Sequence, residues 1–310
     1  MLLVSHCFDV FSLLSLLSPP HISAVPGGPD IPTSVQFSSA DLKYPPATGG
    51  PELLNAICDY YKHFYGANIT PDNIAIFAGG RPAIYATLSF LHPDVKVLVE
   101  EAEYTPYWDV LRLLKREYAI IKSNPENNFR PELSDYLSVL TAKDRKFVMK
   151  SNPCNPTGVT WVGDKLKALV DFCCLPGNGG LFDEAYEFFH DTPDCALRFV
   201  PNIDTSNIFV ISAATKGLQV PGMRVGWVVS SKANTLLFRN FSSLAMGGVA
   251  RPSQIYVSKL LDLPRVIQSR SAIAKFYGDQ RKRYAVLLAD LGMELFTGDG
   301  GFYHFARLPG

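Results

Sequence analysis

Up to about Ser231 the chain alternates short apolar runs with stretches of helical periodicity. Ile74–Phe77, Val95–Val99, Phe147–Met149, Gly180–Phe182, Ile208–Ile211 and Val225–Val229 read as strands buried on both faces. The loop Tyr44 to Gly50 (YPPATGG) leads into a helix with Pro51 at its first position, then Glu52 and a Leu53, Ile57, Tyr60, Tyr61 stripe. Pro82–Leu91, Tyr107–Lys115 and Asp164–Cys174 add further helices between strands. Such alternation predicts an α/β fold of three layers, a mainly parallel sheet with helices on both faces. Beyond Ser231 helical patterns take over in Leu236–Ala245, Ser253–Leu261 and Val266–Leu291, the last too long and too charged for a simple core helix. A final apolar run, Gly301 to Leu308 (GFYHFARL), predicts another strand. The expected organisation is an N-terminal segment over 1–43, an arm and part of a small domain. A large domain over 44–265 follows, then an incomplete small α+β domain over 266–310.

Composition narrows the function. Twenty-nine basic residues balance twenty-nine acidic ones and 47% of the chain is hydrophobic, which excludes a disordered or coiled-coil protein. Neutrality leaves no electrostatic footprint for nucleic acid or an anionic membrane, so a small-molecule site is expected. The six cysteines form no C-x-x-C pair and no zinc-site spacing, which fits a reducing, cytoplasmic setting. The apolar run Phe11 to Leu17 hints at a signal peptide. No Lys or Arg precedes it and Asp9 interrupts the stretch before it, which favours a docking arm or an aberrant start. No stretch approaches a membrane span.

Ligands of open α/β sheets bind at the carboxyl ends of the strands. There the sequence places Gly79-Gly80-Arg81-Pro82 after the first strand and Ser151-Asn152-Pro153-Cys154-Asn155-Pro156-Thr157-Gly158 after the third. Asp183-Glu184-Ala185-Tyr186 follows the fourth and Ser212-Ala213-Ala214-Thr215-Lys216 the fifth, with Arg224 eight residues on. A lysine beside apolar or cationic groups can supply a free amine, a carboxylate can hold a protonated ring nitrogen, and a helix start with an arginine can hold a phosphate. Each residue also has a plain structural alternative: a surface turn for Lys216, a helix N-cap for Asp183, turn chemistry for the Asn-Pro pairs.

With 28 residues from Asn155 to Asp183 and 33 from Asp183 to Lys216, this ordered set resembles the pyridoxal-phosphate aminotransferases of class I and II, fold type I, over about Tyr44 to Leu308. The resemblance implies pyridoxal 5′-phosphate held as a Schiff base on Lys216, and exchange of an amino group between an amino acid and a 2-oxo acid. It assigns Lys216 as general base as well, Asp183 to the ring nitrogen, and Asn155 and Tyr186 to the phenolic oxygen. Gly80, Arg81, Thr215 and Arg224 go to the phosphate. Tyr104 aligns with the aromatic residue that stacks on the ring, although a core tyrosine fits that position nearly as well. Tyr44 matches a tyrosine that reaches a phosphate across a homodimer interface, or is a turn tyrosine. Rival outcomes on the same cofactor are a carbon–sulfur lyase, a ring-closing synthase, or a binding module without catalysis.

The sequence departs from the family pattern in its N-terminal opening and in three further places. Ala213 stands where a hydroxyl residue is common, with Ser212 and Thr215 nearby; Pro82 lacks an amide donor; and no residue matches the arginine that grips the substrate carboxylate in a later segment. Arg307 lies on the predicted strand and is not that residue. The chain is therefore expected to be a piece of a longer product.

Overall fold

The structure, a computed structural model, describes residues 25–139 and 144–309. The apolar run Phe11 to Leu17 lies outside them. Strands β1 (Ile74–Phe77), β2 (Val95–Glu100), β3 (Tyr118–Ile121), β4 (Arg145–Ser151), β5 (Gly179–Asp183), β6 (Ile208–Ala213) and β7 (Gly226–Val229) form one sheet in the order β1-β7-β6-β5-β4-β2-β3. Pairing is parallel from β3 through β6; β7 runs antiparallel to both its neighbours, β6 and β1.

Period-two alternation splits each strand between two cores. Ile74, Ile76, Leu98, Val148, Phe182, Ile208, Val210 and Val229 face one; Ala75, Phe77, Val97, Val99, Phe147, Met149, Leu181, Phe209 and Ile211 face the other. Helix α1 (Pro51–Tyr65) covers the first face with Leu53, Ile57, Tyr60 and Tyr61, joined by Leu166, Leu169 and Val170 of α5 (Gly163–Cys173). The second face is covered by α2 (Gly80–Ser89), α3 (Pro106–Leu113) and α6 (Lys232–Ala245) through Ile84, Leu88, Tyr107, Leu111 and Phe238. The expected three layers are present. Short α4 (Leu133–Ser138) and the edge strand β3 were not legible in the hydrophobic pattern.

Helices α7 (Arg251–Leu260) and α8 (Leu263–Asp290) follow. At 28 residues α8 is roughly 42 Å long. It buries Val266, Ala272 and Ile273 against the first core, while Val286 and Leu287 are exposed. The predicted strand over 301–308 is corrected: only Ala306–Arg307 (β9) is extended in a ladder, pairing antiparallel with Glu294–Leu295 (β8). The aromatic residues before it are committed to packing. Phe302 meets Tyr186 and Phe189 edge-on, and Phe305 meets Phe129 at 4.7 Å. Just upstream, Gly298 and Gly300 donate backbone hydrogen bonds to Thr157 and Gly158.

Among the described residues no helix is long and apolar enough to cross a membrane. The five cysteines among them are free thiols.

Candidate active site

Parallel register brings the carboxyl ends together: Ser151 lies opposite Asp183, and Asp183 opposite Ile211. Because β7 runs the other way, its first residue, Gly226, sits at this same end, opposite both Phe77 and Ala213. Arg224, two residues earlier, is thereby delivered to the loop after β1. A cleft of about 100 Å³ at this end is lined by Lys216, Asp183, Tyr186, Asn155, Tyr104, Gly80, Arg81, Thr215 and Arg224, with Ser151, Ala213 and Ser212 among the rest of its wall. Of the residues singled out in the sequence only Tyr44 stands apart, 92% exposed and outside the cleft. A larger cavity of about 330 Å³ lies at the opposite, amino ends of the strands and gathers none of them.

Lys216 follows β6 in a tight turn, half-buried, its Nζ 5.4 Å from the centre of the Tyr186 ring and 5.0 Å from that of Phe302. Asp183 ends β5. Burial pushes its carboxyl up to about 6, against the Tyr107 hydroxyl at 3.0 Å and the Ala185 N–H at 3.2 Å that hold it down. Burial likewise raises the Tyr186 phenol, which shares a short hydrogen bond with Tyr303 and has the Asn155 side chain near enough to lower it slightly.

The loop carrying Asn155 is braced from within. Asn152 exchanges two hydrogen bonds with the backbone of Trp161, at 2.7 and 2.9 Å, and Asn155 N–H donates to Ser151 Oγ at 3.1 Å. Tyr104 is half-buried and edge-on to Tyr107 with centroids 5.5 Å apart; burial raises its phenol while the nearby Arg81 charge lowers it. On the other side of the cleft, backbone meets backbone. A Cβ on Gly226 would stand 2.5 Å from Gly79 C and 2.7 Å from Gly80 N, and one on Gly79 would stand 2.4 Å from Arg224 Nη2. Arg224, with a left-handed φ of 51°, spans the gap by donating to Pro221 O and Ala78 O, each at 3.1 Å.

Sequence reasoning missed Tyr107, Ser151 and Phe302 as parts of this site, and Tyr303 beside it. Tyr107, Phe302 and Tyr303 meet partners distant in sequence, whereas Ser151 opens the Asn155 loop and Tyr107 lies three residues past Tyr104, the two local hints that were available.

The family described as aminotransferase class I and II matches residues 29–310. The chain belongs to the class I and II aminotransferases. As a member of that family it is similar to an aspartate aminotransferase of Pyrococcus horikoshii, 26% identical over 92% of this chain and 75% of the relative. An LL-diaminopimelate aminotransferase of Dehalococcoides mccartyi is 24% identical over 93% and 76%. The fold matches a solved aspartate aminotransferase of Thermus thermophilus with a TM-score of 0.79, covering 86% of this chain and 70% of that one at 21% identity. Class I and II aminotransferases depend on pyridoxal 5′-phosphate. The cleft suits that group: a carboxylate raised by burial, a glycine backbone beside a guanidinium, and an amine near two aromatic rings all face one space.

Proposed function

We propose that the chain's own residues divide the work of transamination as follows, with an amino acid and a 2-oxo acid as the substrate pair. When bound, pyridoxal phosphate supplies a carbonyl with which amines condense and a ring that accepts the electron pair released at the substrate Cα. Lys216 is the amine that holds the cofactor and, once displaced by substrate, carries the proton to and from Cα. Asp183 accepts the ring N–H, a charge-assisted bond that recovers part of the cost of burying its carboxyl. Asn155 and Tyr186 would donate to the phenolic oxygen, and Tyr104 would be the aromatic partner of the ring. Gly80, Arg81, Thr215 and Arg224 bind the phosphate, the first at the start of α2 where free N–H groups and the helix dipole favour an anion. Tyr44, exposed here, belongs to the neighbouring subunit's site in a homodimer. Residues 44–265 act as the cofactor-binding domain and 266–310 as part of a smaller one, in a cytoplasmic enzyme.

One observation carries this proposal: Lys216, Asp183, Asn155, Tyr186 and Arg224, drawn from the three connections that follow β4, β5 and β6, line one cleft. The test is the visible absorption of the protein with pyridoxal phosphate, beside Lys216→Ala. A lysine-dependent band is expected that an amino acid abolishes and a 2-oxo acid restores. No lysine-dependent band overturns the proposal; a band that ignores every amino acid reduces the chain to a binding module.

A further inference from the structure

Glu103 lies outside the cleft lining and has no part in the chemistry above. It follows β2 and is 4% exposed. A carboxyl so placed is costly unless its lone pairs are met. Here they are met by donors on two loops. Oε1 accepts Ser151 N–H at 2.8 Å; Oε2 accepts Ser151 Oγ–H at 2.5 Å and Tyr104 N–H at 3.1 Å. Ser151 Oγ in turn accepts Asn155 N–H at 3.1 Å. One side chain thus ties the backbone of Tyr104 directly, and that of Asn155 through a single hydroxyl.

We infer that Glu103 is a positioning residue that fixes Asn155 and Tyr104 around the cofactor site by clamping the loops after β2 and β4 to each other. This rests on the functional reading above and names what holds that site in register. A carboxylate serves where an amide would not, because all three neighbouring groups donate and an NH2 would face one of them. The charged and titratable groups around Glu103 are Lys150 of β4, Glu100 of β2, Cys154 of the intervening loop, Tyr107 of α3 and Tyr136 of α4. Lys150 is paired with Glu100, whose same oxygen accepts from Tyr136. Lys150 also acts on Glu103 through space, so the test has to separate that charge from the hydrogen bonds.

Two opposite signs separate positioning from charge. Donors on the cofactor's phenolic oxygen stabilise its anion and lower the pKa of the adjoining nitrogen that links Lys216, so a loosened Asn155 raises that pKa. Removing a nearby negative charge would lower it. The experiment is a pH titration of the Lys216-dependent visible band in the full chain with pyridoxal phosphate, for the parent protein, Glu103→Gln, Ser151→Ala, Asn155→Ala and the Glu103→Gln/Asn155→Ala double variant. Glu103→Gln and Ser151→Ala are expected to raise the midpoint by about half to one pH unit, the scale of one hydrogen bond. The double variant should move no further than Asn155→Ala alone, since both act through one group. Ser151→Ala keeps Glu103 in place and carries the same test if Glu103→Gln does not fold. An unmoved midpoint, a downward shift, or additive shifts in the double variant overturn the inference while leaving the functional reading intact. A parent protein with no lysine-dependent band overturns both.

Discussion

Asp183→Asn exposes the conflict between folding and function at the site. The carboxyl is buried, its nearest polar partners are a tyrosine hydroxyl and one N–H, and burial lifts it from 3.8 to about 6. At about 1.36 kcal/mol per pH unit, an ionised Asp183 costs the cofactor-free fold about 3 kcal/mol. Because the residue keeps some contact with solvent, about 2 kcal/mol is the better figure. Asparagine removes that penalty without orphaning a partner. The Tyr107 phenol, kept protonated by burial, can turn from donor to acceptor for the new NH2. The pH dependence has a definite sign. A carboxyl raised in the folded state costs nothing below about pH 3.8, where both states are protonated; the cost grows between 3.8 and 6 and is complete above 6. Urea unfolding of the cofactor-free protein should therefore show Asp183→Asn more stable by about 2 kcal/mol at pH 8, with the gap closing as pH falls toward 4. With saturating pyridoxal phosphate the order should reverse, since the aspartate form gains more from ligand linkage. A variant equal to or less stable than the parent at pH 8 without cofactor, or a gap that ignores pH, refutes the reasoning.

Three further perturbations probe the surrounding architecture. Gly226→Ala places a methyl 2.5 Å from Gly79 C, backbone that cannot swing aside; urea unfolding should show a loss of roughly 1–3 kcal/mol and cofactor titration a fall in affinity of at least about tenfold. Arg270→Met leaves the Glu187 carboxylate buried with only the Tyr60 and Tyr65 hydroxyls in place of a 2.8 Å ion pair. Thermal unfolding should register roughly 3–5 kcal/mol, partly recovered by adding Glu187→Gln. Ala213→Ser restores a hydroxyl to the cleft wall where the family usually has one, and should tighten cofactor binding about fivefold in a fluorescence titration, the worth of one hydrogen bond.

What the sequence discloses here follows burial. Strands with both faces covered must be apolar throughout, so β1, β2, β4, β5, β6 and β7 stand out as runs and only their ends move by a residue or two. β3 lies at the sheet edge with Tyr118 and Ile120 exposed, and so lacks that signature. The segment 301–308 looks like a strand because its residues are apolar and aromatic, but their partners are Tyr186, Phe189 and Phe129, distant residues that no local pattern encodes. The cleft residues were legible for a different reason. Strand ends are fixed points, and a polar residue immediately after an apolar run is delivered to the same edge of the sheet whatever lies between. That rule located Asp183, Asn155, Lys216 and Gly80. It could not locate Tyr107, whose hydroxyl meets Asp183 from 76 residues away, nor show that the antiparallel course of β7 is what carries Arg224 to the site.

Reversing one strand has a consequence beyond topology. With β7 parallel, Arg224 would lie at the far end of the sheet, beside the cavity at the amino ends, and the loop after β1 would meet no cation. Antiparallel pairing instead presses Gly226 onto Gly79 and Gly80 so closely that only glycine fits, and the same contact sets the guanidinium against the start of α2. The end of the cleft proposed for the phosphate is therefore made by backbone packing that the fold requires in any case. The end proposed for the ring differs: Asp183 is raised by burial, and Glu103 is raised by the same cause while Lys150 and the two Ser151 donors hold it down. Polar groups at the ring end stay buried at a cost that the two apolar cores offset, and binding a cationic ring returns part of it. Substitutions at the phosphate end should accordingly damage folding and cofactor affinity together, whereas those at the ring end can raise stability while they remove function.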